Sequence, residues 1–303
     1  MWIILALCSA FFLGLYDVAK KQSLKGNAVI PVLLINTAIC SAIFMPFIIL
    51  SAKGAIDPNS ILYVPNGGWH EHKLVILKAF IVLSSWICGY FAIKHLPLTI
   101  VGPINATRPI MALIGALVIF GEKLNPWQWA GVLIAIFAFF LLSRSGKKEG
   151  IDFVHNKWIV LLVAAAFLGA VSGLYDKYLM NPAGAGLDRL FVQGWYNFYQ
   201  MLIMAAILLL VWLPAQKKYP EKFHWSWHIP VISLALTTAD LLYLTALSQP
   251  DAMIAVVSMA RRSSVIVSFA CGALLFHEKN IRSKALDLCL VLLSMVCLLI
   301  GTL

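Results

Sequence analysis

Ten apolar runs constrain this chain more than any other feature of its sequence. Each run is close to the roughly 20 residues that an α-helix needs to cross the hydrocarbon core of a bilayer. They predict an all-α integral membrane protein with ten transmembrane helices, since 61% of the 303 residues are hydrophobic and 12% are charged, against about 25% charged in a soluble domain. The predicted spans are 2–20, 29–51, 74–94, 97–120, 126–143, 157–178, 189–213, 228–247, 252–276 and 284–302.

The basic residues predict how the chain is oriented. The formal net charge is +10, but Lys and Arg lie mostly in short loops and not in a patch with interleaved aromatic residues, so nucleic acid binding is not expected. When the spans alternate across the membrane, five Lys and Arg fall on the side that holds the N-terminus and fourteen fall on the other side. The positive-inside rule then places both termini outside. The first run has no basic segment before it and no cleavage site after it, so it is predicted to stay as the first helix.

Short sequence motifs (called words below) from the first half of the chain recur in the second half in the same order. The tetrapeptide GLYD occurs at 14–17 and at 173–176, and FGEK at 120–123 is matched by FHEK at 276–279. The repeat predicts two homologous five-span units, 1–148 and 149–303. Because five is odd, the second unit enters the membrane upside down. Such inverted repeats are typical of secondary transporters, whose substrate site lies near the midplane between the units.

Four charged side chains fall well inside predicted spans, where each costs about 2.5–3.5 kcal/mol to insert. They are Arg108, Asp240, Arg261 and Arg262. Guanidinium groups suit the carboxylate or phosphate of a substrate, although the arginines would serve equally well in structural ion pairs. Asp240 is predicted to be either the counter-ion of Arg261 or Arg262, or a proton-coupling carboxylate.

Two polar residues are predicted to accompany these charges. Asn105 lies one turn before Arg108 on the same helix face, and Tyr243 lies one turn after Asp240. Both are therefore candidates for the same pocket.

Four aromatic residues are candidates for the substrate pocket, but their positions also fit a second interpretation. Trp86 and Tyr90 are four residues apart in the third span, and Tyr16 and Tyr175 are the tyrosines of the repeated GLYD. These rings either line a pocket or belong to the aromatic belt at the membrane surface.

No motif predicts a cofactor, a metal or a catalytic centre. The sequence has no P-loop, so an ATP-driven pump within this chain is not expected. Its six cysteines lie inside apolar runs and lack the CxxC spacing of a zinc or redox site. Without HExxH or a catalytic dyad an enzyme is not expected either, and charges placed asymmetrically in the spans favour a carrier over a channel.

The repeated F-x-E-K words carry a family resemblance. Glu122 and Glu278 within them are predicted to accept hydrogen bonds from the start of the helix that follows each. Together with 258–265 (SMARRSSV), these words resemble the EamA-type branch of the drug/metabolite transporter superfamily, with His277 in place of the usual glycine. The resemblance implies a central cavity lined by helices 1, 3, 4, 6, 8 and 9, peripheral helices 5 and 10, and alternating access without ATP. It also implies cytoplasmic termini, against the local charge count.

The predicted function is a secondary active transporter that moves a small polar, anionic organic metabolite by alternating access. The alternative is an exporter of neutral or cationic metabolites or drugs in which the arginines are structural. The expected partners are a small-molecule substrate and the lipid bilayer of a bacterial inner membrane. A coupling proton or a counter-substrate, and a monomer or a homodimer, are left open. The predicted substrate-binding residues are Asn105, Arg108, Arg261, Arg262, Tyr16, Tyr175, Trp86, Tyr90 and Tyr243.

Overall fold

The computed structural model describes residues 2–111, 124–147, 151–153, 155–180, 184–215, 221–247, 257, 260–278 and 280–302. Every regular element within these residues is a helix. In chain order they are α1 (Trp2–Ser23), α2 (Val29–Ala52), α3 (Trp69–His95), α4 (Leu98–Ala106), α5 (Pro126–Lys147), α6 (Lys157–Met180), α7 (Arg189–Ile207, continued by a π-helical turn over Leu208–Trp212 and a last turn over Leu213–Ala215), α8 (His228–Leu247), α9 (Ser264–Leu275) and α10 (Ile281–Thr302). The FGEK word and most of 248–259 lie outside the described residues.

Seven helices in the described part of the chain are long and apolar enough to cross a membrane. They are Trp2–Ser23, Val29–Ala52, Trp69–His95, Pro126–Lys147, Lys157–Met180, Arg189–Ala215 and Ile281–Gly301. The apolar stretch of α8 is shorter, and α4 and α9 cover only part of their predicted spans. The prediction of an all-α, multi-pass membrane protein is confirmed, and the count of ten spans stays a prediction.

The helices pack in pairs that join the two halves of the chain. α1 packs along α8, and α3 packs along α6. α2 packs against α7, α4 against α9, and α5 against α10. In addition α1 contacts α9, while α6 contacts α4. Exchanging each helix of the first half for its counterpart in the second half, α1 for α6 and so on, reproduces this set of contacts.

Counterpart helices run antiparallel where they touch. A Cβ atom added to Gly131, near the start of α5, would lie 2.8 Å from a methyl carbon of Leu298, near the end of α10. One added to Gly301 would lie 2.7 Å from Gln128. The start of α4 likewise lies against the end of α9, and the start of α7 against the end of α2.

Glu278 caps a helix in the other half of the chain, so the prediction that it caps the following helix is wrong. Its carboxylate accepts hydrogen bonds from the backbone N–H groups of Leu98 (2.7 Å) and Thr99 (2.9 Å) and from the Thr99 hydroxyl (2.5 Å). The first N–H groups of a helix have no partner within it, and Glu278 satisfies two of them at the start of α4. Nearby, the Lys21 ammonium donates to the Leu96 carbonyl oxygen (2.5 Å) just after α3.

We expect Gly14→Ala to disturb the contact between α1 and α9. A Cβ atom on Gly14 would lie 2.5 Å from the Val267 Cβ and 3.1 Å from the Ser264 carbonyl oxygen, and such overpacking costs about 1–3 kcal/mol. The matched control is Gly173→Ala in the second GLYD word, where an added Cβ meets nothing within 4 Å. Thermal unfolding of both variants in detergent measures the difference. Equal melting temperatures would contradict the close approach of α1 and α9.

Candidate functional site

A cavity of about 570 Å³ lies between the two halves, a volume typical of small-molecule sites. Side chains of α1, α3, α4, α6, α7, α8, α9 and α10, and of the helical residues just before α9, line it. Leu298 and Leu299 of α10 are among them, so helix 10 is not wholly peripheral, as the family resemblance had implied. The structure brings nine of the ten predicted site residues together there. They are Tyr16, Trp86, Tyr90, Asn105, Arg108, Asp240, Tyr243, Arg261 and Arg262.

Asp240 and Arg261 form an ion pair across the cavity wall. A guanidinium nitrogen of Arg261 donates to one carboxylate oxygen of Asp240, and Gln193 Nε2 donates to the other over 3.3 Å. The Arg261 guanidinium also lies 4.3 Å from the centroid of the Tyr243 ring, a cation–π distance. This is the arrangement expected of a counter-ion, one of the two roles predicted for Asp240.

Two further ion pairs line the cavity, and the sequence analysis did not predict either. On α1 the Lys20 ammonium lies 2.8 Å from the Asp17 carboxylate. Between α3 and α6, Lys78 is paired with Asp176, and its ammonium lies 4.8 Å from the centroid of the Tyr196 ring. Lys78 lies inside the predicted third span, and that position is the signal that could have found it.

Two arginines in the cavity wall have no carboxylate partner within the described ranges. The three cavity carboxylates are taken by Lys20, Lys78 and Arg261. Arg108 donates to the Asn105 side-chain oxygen over 3.1 Å, but its buried Nε has no hydrogen-bond partner. Arg262 is close enough to Arg108 and Arg261 to be repelled by both. The cavity therefore carries an excess of positive charge.

Space for the Arg108 guanidinium depends on a glycine of α6. A Cβ atom on Gly169 would lie 2.8 Å from the Arg108 Cζ atom. Tyr16 and Tyr90 lie beside the Lys20 ammonium, which is 4.3 and 5.2 Å from the two ring centroids. The cavity thus combines aromatic faces with cationic groups.

Residues 1–144 match the model of the EamA-like transporter family. The first half of this chain is thus similar to that family. The family consists of transporters, and the resemblance predicted from the sequence is confirmed.

Two curated relatives and a solved structure are similar to this chain. The uncharacterized transporter PA0485 of Pseudomonas aeruginosa is 24% identical over 142 residues, which is 47% of this chain and 43% of that protein. Protein RarD of Streptomyces exfoliatus is 24% identical over 172 residues, which is 56% of this chain and 49% of that protein. The matched segments thus span less than half of either relative. A protein crystal structure aligns with a TM-score of 0.60 and 14% identity over 98% of this chain and 97% of its own, which shows a shared fold.

Tyr175 is the one predicted site residue that is not among the cavity-lining residues. Its hydroxyl donates to the Leu74 carbonyl oxygen over 3.1 Å, and its ring stacks on Tyr178 with 5.9 Å between centroids. The structure thus places it in the contact between α6 and α3. Of the two repeated tyrosines, Tyr16 alone lies at the cavity.

The second copy of the EamA-like motif departs from the usual glycine, and the backbone shows what that position requires. His277 has a φ of 50°, in the left-handed region that glycine adopts most readily. A glycine at this position therefore suits the turn that brings Glu278 to the start of α4.

Proposed function

We propose that the whole chain consists of two inverted EamA-like repeats of five spans, 1–148 and 149–303. Two features support this architecture. The seven helix contacts described above are preserved when counterpart helices are exchanged, and three counterpart pairs run antiparallel at their contacts. An odd number of spans in each repeat gives this inversion. The cavity between the repeats then takes residues from both.

We propose that the protein is a secondary transporter of a small polar organic anion. The observation that carries the proposal is the pair Arg108 and Arg262, which line the cavity without a carboxylate partner among the described residues. An excess of guanidinium charge favours a carboxylate or phosphate ligand. Asp240 acts as the counter-ion of Arg261, and the repeats move against each other in alternating access.

We propose a bacterial inner membrane as its location, with both termini outside. The charge bias that supports this orientation is weaker than the sequence suggests. Lys20 and Lys284 were counted as loop charges, but Lys20 is 8% exposed and Lys284 is 0% exposed inside the helix bundle. The remaining basic residues still favour the same side.

Uptake by proteoliposomes tests the substrate class. Carboxylated, phosphorylated, neutral and cationic metabolites are compared for the wild type, Arg108→Gln and Arg262→Gln. A hydrogen bond to a charged group contributes about 1.5–3 kcal/mol, so each variant should lose about tenfold or more in affinity for anions. The matched control is Arg282→Gln, which removes the same charge from an exposed residue at the start of α10 and should change little.

The outcome also decides between the two candidate functions. Anion uptake that is lost in both cavity variants, but kept in Arg282→Gln, supports the anion carrier. Uptake of neutral or cationic solutes at wild-type rates in Arg108→Gln and Arg262→Gln would overturn it. That result would favour an exporter with structural arginines.

A further inference from the structure

A second group of charged side chains lies outside the cavity, where α10 packs against α4 and α5. Asp287 is 1% exposed and Lys284 is fully buried. Both lie inside the candidate span Ile281–Gly301, and neither is among the residues that line the cavity. Charges at such positions are costly and mark functional sites in membrane proteins.

The Asp287 carboxylate is incompletely satisfied. Its Oδ2 atom is buried and has no hydrogen-bond partner among the residues that the structure describes. Lys284, one turn earlier on α10, attracts the carboxylate through its charge. The Lys284 ammonium itself donates to the Thr99 hydroxyl over 2.9 Å. A buried ionised oxygen without a donor is unfavourable, and a bound proton would remove its charge.

The other charged side chains on the neighbouring helices are either exposed or hydrogen-bonded elsewhere. Arg144 and Lys147 of α5 are exposed. The Glu278 carboxylate is hydrogen-bonded to the start of α4, and the α4 residue that Lys284 contacts is the uncharged Thr99. Within the described ranges, Lys284 is thus the charged side chain whose field acts on Asp287.

An electrostatic interaction with Lys284, followed by hydrogen bonds, connects Asp287 to the helix beside the cavity. The Lys284 ammonium donates to the Thr99 hydroxyl. Thr99 in turn donates to the Glu278 carboxylate through its hydroxyl and its backbone N–H. Thr99 lies in the first turn of α4. Asn105 lies near the end of α4, and Arg108 follows two residues after that helix ends; both line the cavity. A change of charge at Asp287 therefore acts on the residues that hold the start of α4, the helix that directly precedes Arg108.

We propose that Asp287 is a proton-binding site that is coupled to the cavity through Lys284, Thr99 and α4. Its role in transport rests on the proposed function, whereas proton binding does not. A proton from solution binds the carboxylate and leaves a neutral carboxyl group. The attraction between that group and Lys284 is lost, and the contact between Lys284 and Thr99 readjusts. The coupling site is thus separate from the substrate site.

Infrared difference spectroscopy of the purified full chain tests proton binding. On acidification from pH about 8 to about 5, across the range between ordinary and buried carboxyl groups, the wild type should gain a C=O band of a buried, protonated carboxyl group. Asp287→Asn should lack this band. The matched control Asp57→Asn removes an exposed carboxylate and should keep it. Identical spectra for wild type and Asp287→Asn would overturn the proposal.

A second measurement needs no substitution at Asp287. A hydrophobic carbodiimide modifies protonated carboxyl groups in apolar surroundings, and peptide mass mapping locates the modified residue. Modification of Asp287 at acidic pH is expected. If Asp287 stays unmodified while other carboxyl groups react, the proposal fails even where Asp287→Asn does not fold. Neither measurement involves transport, so their failure is distinct from failure of the anion-carrier function.

Alkylation of an Asn105→Cys variant tests the coupling to α4. The rate is measured with and without Asp287→Asn at the same pH, so that the ionisation of the thiol cancels in the ratio. The two rates should differ several-fold at pH about 8 and converge at pH about 5, where the side chain at position 287 is neutral in both proteins. A ratio that is unchanged between the two pH values would refute the coupling.

Discussion

Glu278→Ala should lower the free energy of unfolding by about 2–4 kcal/mol. The substitution removes a carboxylate that accepts three hydrogen bonds from Leu98 and Thr99. Hydrogen bonds to charged groups contribute about 1.5–3 kcal/mol each but do not add fully, and loss of a helix cap alone costs about 0.5–2 kcal/mol. Because the donors belong to α4 and the acceptor precedes α10, the variant also loosens the junction of the two halves. The melting temperature of the detergent-purified protein measures the loss.

Two further variants separate this cap from a general loss of charge. Glu278→Gln keeps the shape and one acceptor oxygen, so it should lose about half as much stability as Glu278→Ala. Glu71→Gln neutralises an acidic residue in the first turn of α3, where a local interaction with the helix dipole is worth about 0.3–1 kcal/mol. Equal melting temperatures for Glu278→Ala and Glu71→Gln would show that the Glu278 cap does not stabilise α4.

The membrane character and the main cavity residues were predictable because lipid imposes simple rules. A span needs a long apolar run, and a charge inside a run stands out against it. Arg108, Asp240, Arg261 and Arg262 were found in this way, and all four line the cavity. Antiparallel counterpart helices were expected from nothing more than repeated words and an odd number of spans.

The residues that were missed lie near the ends of apolar runs, where a sequence cannot separate a loop charge from a buried one. Lys284 was counted as a loop residue, and Asp287 lies one turn further along α10. Lys78 pairs with Asp176, almost 100 positions later in the chain. Such pairs depend on which helices become neighbours, and periodicity within one helix carries no information on that. For the same reason, Glu278 was correctly predicted to cap a helix, but the helix it caps is α4 and not the one that follows it.

Asp240→Asn should lower the free energy of unfolding by about 3–5 kcal/mol, the usual cost of breaking a buried ion pair by removing one partner. The side chains of Arg261 and Asp240 are 17% and 14% exposed, so the remaining guanidinium has little access to water. Its contact with the Tyr243 ring recovers a small part of the loss. As the matched control, Asp152→Asn breaks an exposed pair with His155 and should cost less than about 1 kcal/mol.

The double variant Asp240→Asn with Arg261→Gln separates the two roles predicted for Asp240. Removal of both charges leaves no unpaired ion, so most of the stability should return, with a coupling energy of about 2–3 kcal/mol in the double-mutant cycle. If Asp240 acts only as the counter-ion of Arg261, the double variant should still take up anions through Arg108 and Arg262. Recovered stability without recovered uptake would instead assign Asp240, or Arg261, a direct part in transport. Because Asp287 is intact in these variants, the pH dependence of any remaining uptake should match that of the wild type.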